Sequence, residues 1–370
     1  MKVGVLKEIK VMENRVAMTP AGAQAMRDHG HEVTMEIGAG VGSGFSDDDY
    51  KAAGAKTAKG DDIFAKCDMV MHVKEPQPSE YGKLRKGQIL FTYLHLAADE
   101  KQTKGLIKAG NINIAYETIQ TKDGHLPLLT PMSEVAGRMA IQQAAKFLEA
   151  PAGGMGKLIS GVPGVEPATV MVIGGGVVGL NAAKSACGLG AKVYLLDTNL
   201  DRLRYLSDVM PPNCITMMAG AYNIRQLLPV CDVVVGAVLI PGAKTPHLIS
   251  KADLKLMRKG SILVDVAIDQ GGCFETSKPT SHTDPVYTVD GVVHYCVANI
   301  PGAVAITSTL ALTNATLPYA LKIADKGWKE ACRTNEDIMK GLNVVDGKIT
   351  FPAVAEAWGL AHTPVADVLK

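Results

Sequence analysis

The stretch TVMVIGGGVVGLNAAKSACGLGAKVYLLD, from Thr169 to Asp197, constrains the fold of this chain more than any other. A strongly apolar run ends in three consecutive glycines. A helical pattern of small residues follows, then a second apolar run that closes on an aspartate. Run, glycine turn and helix in that order read as a β-α-β unit, whose two strands lie parallel in one sheet. Within it Gly174, Gly176 and Gly179 are spaced Gly-x-Gly-x-x-Gly. That spacing alone is weak, because glycine also serves close packing. Here three conditions hold together: a strand before, a helix after, and Asp197 at the end of the next strand.

Each position has its own physical reason. Gly174 permits the tight turn. Gly176 has no Cβ, so the backbone can approach a pyrophosphate where the unpaired N–H groups and dipole of the helix N-terminus favour an anion. Val177 and Val178 open that helix, and Gly179 lets it pack against the sheet. Asp197 can accept hydrogen bonds from both ribose hydroxyls of an adenosine and repels a 2′-phosphate. NAD is therefore expected rather than NADP, with Arg202 softening the preference only slightly. The bland alternative is a βαβ unit that binds no nucleotide.

The same alternation runs along the chain. MKVGVLKE, HEVTMEIGAG, CDMVMHVKEP, QILFTYLHLA and NINIAYETI read as strands. TPAGAQAMRDHG reads as a helix with Thr19 as N-cap, Pro20 just inside and Gly30 at its end, and DDDYKAAGAKTA also reads as helical. Near Thr130 the texture changes. Thr130 is a candidate N-cap and Pro131 opens a long helical pattern that runs to Leu148. A second set of strands follows in ATVMVI, AKVYLLD, CDVVVGAVL, SILVDVAID and VVHYCVAN. Another long helical stretch comes after Asn299, with Pro318 as a possible kink.

A chain of 370 residues is too long for one ordinary core, and few aromatics with 47% hydrophobic residues favour close-packed α/β layers. The expectation is an α/β protein of two domains with parallel doubly wound sheets. A Rossmann-type NAD domain, 130–306, is inserted into a discontinuous substrate domain, 1–129 and 307–370, and long helices link the two.

Several function classes are disfavoured. Lys+Arg number 38 against 37 Asp+Glu, with no basic run, so a nucleic-acid partner is not expected. The seven cysteines are scattered without a C-x-x-C pair, which supports neither a disulfide framework nor a zinc site, and no metal is expected. The N-terminus lacks the apolar segment of a signal peptide. The apolar run from Ala168 to Leu180 is glycine-rich and too short to cross a bilayer. A soluble, cytoplasmic protein with no membrane partner is expected.

In open α/β sheets ligands lie beyond the carboxyl ends of the strands. In the second sheet that rule points to Val238 and Leu239, to Ala267, Ile268 and Asp269, and to Val297, Ala298, Asn299 and Ile300. Asp269 is the only charged group among these ends, which makes it a candidate catalytic residue; the alternative is a turn or helix-cap aspartate. In the first sheet Arg15, Lys74 and His95 all fall at or after the ends of strands. Singly they read as a solvated arginine, an edge lysine and a core histidine. Together with an opposing aspartate they suit a small carboxylate that carries an amine or a carbonyl.

The blocks VGVLKEI…ENRVAMTP, MHVKEP, FTYLHLA, GAVLIPGAKTP, VDVAIDQGGCFETSKPT and YCVANIPGAV, in order along nearly the whole chain, resemble alanine dehydrogenase. The wider superfamily includes the NAD-binding subunit of proton-translocating transhydrogenase and lysine-forming saccharopine dehydrogenase. The resemblance implies a hexameric NAD-dependent enzyme that interconverts L-alanine with pyruvate and ammonia. It implies that Arg15 and Lys74 bind substrate and that His95 and Asp269 are catalytic. It also implies that Ser133, Val177, Asp197, Arg202, Lys278, Val238 and Leu239, Val266 to Asp269 and Val297 to Ile300 contact NAD. Where the family often has a serine touching the cofactor, this chain has Ala219 and Gly220, so a backbone contact at Gly220 is expected instead. Lys278 stands where related chains often carry arginine and lacks the bidentate fork.

On this reading Arg15 grips the substrate carboxylate through paired hydrogen bonds, and Lys74 supplements it and polarises the carbonyl oxygen. His95 is the general acid/base, and Asp269 holds the ammonium or the attacking water. A cleft between the domains is expected to close over substrate. The rival readings are a transhydrogenase NAD-binding subunit, an NAD-sensing regulator without catalysis, and an enzyme for another small amino or imino acid.

Overall fold

The computed structural model describes residues 1–238 and 247–370. Along them the strands run β1 (Lys2–Val5), β2 (Glu32–Glu36), β3 (Lys56–Ala58), β4 (Met69–Met71), β5 (Ile89–Thr92), β6 (Ile112–Ala115), β7 (Thr169–Ile173), β8 (Lys192–Asp197), β9 (Cys214–Met218), β10 (Val233–Gly236), β11 (Ile262–Asp265), β12 (Val286–Val289), β13 (Val292–Tyr295), β14 (Leu342–Val345) and β15 (Lys348–Ile349). The helices that position the site are α1 (Pro20–Asp28), α2 (Thr130–Phe147), α3 (Val177–Gly188), α4 (Leu200–Val209) and α5 (Ala305–Lys326). The chain divides into two compact units. One comprises residues 1–132 and 304–370, the other 133–303.

The first unit holds an eight-stranded sheet in the order β15-β14-β6-β5-β4-β1-β2-β3. From β3 to β6 every pairing is parallel. The order reverses between β1 and β4, so successive crossovers leave that point in opposite directions. This is the doubly wound arrangement, and its switch point is where a ligand crevice forms. Strands β4, β5 and β6 are buried along their whole length. They therefore read as continuous apolar runs, as strands covered on both faces must.

The second unit repeats the scheme. Its seven-stranded sheet has the order β12-β13-β11-β10-β7-β8-β9, with the reversal between β7 and β10. Its core gathers Met171, Ile173, Val234, Leu263 and Phe274 around the central strands. The first unit's core is built separately from Leu6, Ile63, Val70, Leu90 and Leu106.

Both sheets depart from the all-parallel expectation at one edge. β12 pairs antiparallel with β13, and β14 pairs antiparallel with both β6 and β15. The cause is local and was present in the sequence. Each hairpin turns on an Asp-Gly pair, Asp290-Gly291 and Asp346-Gly347, in which all four residues have positive φ. Two consecutive left-handed residues give the tight turn that matches strand twist, and Asp-Gly is its strongest signal.

Three further differences are small. The stretch read as one helix through Ala58 is a short helix, Asp47–Ala52, ended near Gly54 at φ 87°, followed by β3. The Thr130 hydroxyl donates to the Leu126 carbonyl at 3.1 Å, so it bonds backward instead of capping α2. Helix α5 continues through Pro318. Residues Ile300–Lys326 are long and apolar enough to cross a membrane, yet Leu312, Ala320 and Ile323 are fully buried within the protein.

The hairpin argument yields a test. A β-branched side chain at φ 84° is strained by on the order of 1–3 kcal/mol. Gly291→Val is expected to lower the midpoint of denaturant unfolding accordingly, with no effect on cofactor affinity. Unchanged unfolding would mean that this turn does not set the edge.

Candidate functional site

In the second unit the glycine loop joins β7 to α3. A Cβ on Gly179 would lie 1.7 Å from the Gly174 carbonyl oxygen, so helix and turn touch backbone to backbone. Gly174 itself has φ 103°, and a Cβ there would meet the Ala237 carbonyl at 2.6 Å. Gly176 is different. A Cβ on it would meet no protein atom within 4 Å, and it is exposed. The protein gives Gly174 and Gly179 internal reasons to be glycine and gives Gly176 none, which is the pattern of a residue kept small for an external group. Gly176 is the N-cap of α3 and supplies no side-chain cap, so the helix amides there stay available to an anion.

Asp197 ends β8 beside this loop. Its Oδ2 accepts from the Gly175 N–H at 2.7 Å and its Oδ1 from the Asn199 N–H at 2.8 Å. A carboxylate offers about four acceptor positions, so capacity remains for two hydroxyls. Arg202, on α4, donates from Nε to the Gly175 carbonyl at 2.6 Å and stacks over Tyr205. It thus braces the loop from the other side. Val177 is exposed and Val178 half-buried at the start of α3. Gly220 has extended backbone and open space around it. Ser133 is half-buried in α2. Val238 is half-buried after β10, and Leu239 lies outside the described residues. These residues fit a dinucleotide: anion-ready amides, an uncrowded glycine and an acidic strand end stand together on one sheet edge.

Asp269 sits in a single 3-10 turn, Ile268–Gln270, and is exposed. The last residue of β11 itself is Asp265, so Asp269 is not the only charge at these strand ends. Asp265 is fully buried and accepts from the Ala267 N–H at 3.1 Å, from the Cys273 N–H at 2.7 Å and from the Ser277 hydroxyl. It ties down the loop that presents Val266, Ala267, Ile268 and Asp269. Burial pushes its carboxyl above the usual range, and the hydrogen bonds oppose that shift. Lys278, exposed beyond this loop, is placed by its N–H donating to the Tyr287 hydroxyl at 2.7 Å. After β13, buried Val297 forms an isolated bridge with Thr280, and the Ala298 N–H donates to the Thr280 carbonyl at 3.2 Å. Asn299 is left-handed at φ 60° and precedes buried Ile300.

In the first unit β1, β4 and β5 are adjacent and parallel, so the segments after them emerge at one edge. Arg15 lies in the loop after β1, Lys74 after β4 and His95 after β5. Arg15 is only 2% exposed. Its Nε and Nη2 donate to the two Glu13 oxygens at 2.7 and 2.6 Å, and its Nη1 faces the Met132 sulfur at 3.0 Å. Burial opposes the charge, and Glu13 outweighs it, holding the guanidinium above its ordinary value. The Nε and Nη2 edge of the fork expected to grip substrate is thus engaged by Glu13. The backbone beside Arg15 is pinned by Ser43 donating to Asn14 O at 2.8 Å and Val16 N–H donating to Thr309 Oγ1 at 3.1 Å.

Lys74 is half-buried, and its carbonyl accepts from Thr92 Oγ1 at 2.8 Å. His95 is exposed and left-handed at φ 52°, a conformation that is uncommon for a residue with a Cβ. Glu117 compensates by accepting the His95 N–H at 2.6 Å and the Leu94 N–H at 3.1 Å, while Gln102 bonds the Leu94 carbonyl. The imidazole stacks on Tyr93, with centroids 5.9 Å apart and planes 8° from parallel. The histidine read as a possible core residue is instead held outward by its own backbone.

Sequence reasoning missed the carboxylates behind these groups: Glu8, Glu13, Glu80, Glu117 and Asp265. Glu13 is two residues before Arg15 and could have been paired with it. The rest need the fold.

Two α/β units with doubly wound sheets, one bearing a glycine-loop cradle and the other a strand edge rich in cations, define a two-domain dinucleotide-binding protein. The family description "Alanine dehydrogenase/PNT, N-terminal domain" matches residues 4–136, and "Alanine dehydrogenase/PNT, C-terminal domain" matches residues 140–352. The chain belongs to the alanine dehydrogenase/PNT family. It is 54% identical to the alanine dehydrogenase of Halomonas elongata over 370 residues, the whole of both chains. It is 50% identical to that of Mycobacterium tuberculosis, again over the whole of both. A solved L-alanine dehydrogenase structure superposes with a TM-score of 0.94 at 47% identity, over 97% of this chain and 99% of that one. The transhydrogenase of Sinorhizobium meliloti, at 23% identity, shares the fold with a TM-score of 0.81 over 95% of this chain and all of the other.

Two tests follow from this geometry. Gly179→Ala must displace backbone and is expected to unfold the second unit at lower temperature, whereas Gly176→Ala should melt nearly as the parent does and bind NADH more weakly. Equal NADH affinity in Gly176→Ala and the parent would remove that glycine from the cradle. The second test concerns His72, buried between Glu8 and Glu80, whose carboxylates outweigh burial and raise it to about 10. Its folded value lies above the unfolded one of about 6.5, so its contribution to stability is complete below that pH and fades as pH rises through about 10. His72→Gln is expected to cost most stability below about pH 6.5, and denaturant titrations at pH 6 and pH 10.5 should show the gap to the parent narrowing as pH rises.

Proposed function

We infer that this chain catalyses the NAD-dependent oxidative deamination of L-alanine to pyruvate and ammonia, and the reverse reductive amination. One observation carries the reading. The chain matches alanine dehydrogenases from end to end at 50–54% identity, and its own residues supply a dinucleotide cradle and a cationic, histidine-bearing strand edge. When bound, NAD supplies the acceptor for the hydride on the alanine Cα, and NADH supplies the donor in reverse.

The chain's residues do the rest. Arg15 and Lys74 hold the substrate carboxylate, and Lys74 polarises the carbonyl oxygen of pyruvate. Glu13 keeps the guanidinium charged and fixed when no substrate is there. His95 moves the proton to and from the reacting oxygen through its imidazole, which is free to face substrate because its backbone is held by Glu117. Asp269 holds the ammonium or the attacking water and favours positive charge at the substrate imine. Gly176, Val177 and Val178 with the α3 amides hold the pyrophosphate, Asp197 the adenosine ribose, and Ser133, Arg202, Gly220, Val238, Leu239, Lys278 and the segments 266–269 and 297–300 the remainder.

Asp197, an acidic group at the end of β8 that can accept from ribose hydroxyls and repels a 2′-phosphate, supports NAD over NADP. The assembly proposed is a homohexamer in the cytoplasm, acting in amino-acid catabolism; its support is family resemblance. Transhydrogenase kinship is a fold-level likeness, and nothing in that fold alone requires Arg15, Lys74 and His95 together.

The purified protein is expected to form NADH from L-alanine and NAD, read at 340 nm, and to consume NADH with pyruvate and ammonium. Silence in both directions would overturn the reading. His95→Gln should lower kcat by on the order of 10²–10⁴-fold while NADH affinity stays within about twofold. A near-normal kcat across pH would remove His95 from proton transfer.

A further inference from the structure

Behind Lys74 lies a chain of three buried charges that none of the roles above uses. Glu8 stands three residues after β1 and is 8% exposed; His72, the residue after β4, is 1% exposed; Glu80 is 5% exposed. Glu8 Oε1 accepts from the Val73 N–H at 2.6 Å and lies 3.1 Å from His72 Nδ1. The Lys74 N–H is shared between both Glu8 oxygens at 3.4 Å. His72 Nε2 is 3.4 Å from Glu80 Oε1, and Glu80 Oε2 accepts from the Gln77 N–H at 2.7 Å. The loop from 72 to 80 is thereby gripped at both ends by one anion–cation–anion chain.

Such a chain is a poor device for stability. Taking three charges out of water costs several kcal/mol for each ion, and well-packed apolar residues of the same volume often do as well or better. Its geometry suggests another purpose. Both backbone donors that Glu8 binds, the Val73 and Lys74 N–H groups, lie at Lys74, and further ties reach the same stretch: Thr92 bonds the Lys74 carbonyl, and the adjacent Glu75 pairs with Lys10 from the loop that leads to Arg15. Glu8 also acts on Arg15 through space, adding to the charges that keep its guanidinium protonated. With His72 charged, the three residues carry one net negative charge, set behind two cations.

We propose that the Glu8–His72–Glu80 chain is the positioning element of the substrate-carboxylate grip, fixing where Lys74 presents its ammonium. The three residues touch neither substrate nor cofactor, so they are positioning residues. The inference rests on the reading that Lys74 binds the substrate carboxylate.

The test uses the full-length protein and three measurements: KM for pyruvate and for L-alanine, kcat, and the Kd of NADH by fluorescence. In Glu8→Gln the amide nitrogen cannot accept, so the Val73 and Lys74 amides share one oxygen and His72 loses one of its two ion-pair partners. Both KM values are expected to rise about tenfold, which corresponds to ~1.4 kcal/mol, with kcat changed by less and the NADH Kd unmoved. Glu80→Gln should shift both KM values in the same direction by a smaller factor. A role confined to stability would instead lower the melting temperature and leave KM alone, and that result overturns the proposal. Lys74→Met is the control. If it leaves KM for pyruvate unchanged, the assignment of Lys74 to substrate fails. If it raises KM while Glu8→Gln does not, the assignment stands and this inference alone fails. Should Glu8→Gln not fold, Glu80→Gln decides: a lowered melting temperature with unchanged KM overturns the proposal, and a raised KM with unchanged NADH Kd supports it.

Discussion

Strand polarity is the constraint on which the rest depends. β1, β4 and β5 hydrogen-bond side by side in one direction, so the segments that leave them emerge at a common edge. Arg15, Lys74 and His95 are far apart in the chain and reach that edge only through this pairing. The second sheet applies the same rule, with the glycine loop leaving β7 and Asp269 following β11. Parallel pairing demands a crossover between strands, and reversing the winding once leaves a crevice at the reversal. The two units share the order of their central parallel strands, though their edges differ and their cores are built from different residues.

Burying charge is the second theme. Arg15 with Glu13, His72 with Glu8 and Glu80, and Asp265 with its amide donors all sit where water is excluded. None is an economical way to hold a fold together, because desolvation offsets most of what pairing returns. Each one adjoins a residue assigned to chemistry or to its loop. The recurring form is a buried or half-buried carboxylate that accepts backbone N–H groups: Glu8 for Val73 and Lys74, Glu117 for Leu94 and His95, Asp265 for Ala267 and Cys273. A carboxylate can satisfy several donors at once, and its charge strengthens each bond. It is a compact way to fix a turn that must expose a particular side chain.

The α/β class, the family and the dinucleotide loop were legible in the sequence, because each is built from short local patterns, single for the loop and repeated along the chain for the other two. Asp290-Gly291 and Asp346-Gly347 were equally legible as hairpins, and attention to them would have replaced the all-parallel sheets with antiparallel edges. Gly176 could be singled out by spacing, but its difference from Gly174 and Gly179 appears only when the space around each is known. The bidentate grip assigned to Arg15 was a reasonable expectation from side-chain chemistry. Glu13, two residues before Arg15, occupies one edge of the guanidinium instead.

By itself the sequence determined the local units: which runs are strands, where turns need a positive φ, and where a helix starts on bare amides for an anion. Those are properties of short segments, fixed by sterics and periodicity. Only the tertiary structure decided which carboxylate stands behind which functional residue. Glu8 meets His72 across 64 positions, and Leu94 and His95 meet Glu117 across 23 and 22. No periodicity encodes such meetings, because they follow from the order in which strands pair and from the closeness of packing once they have paired.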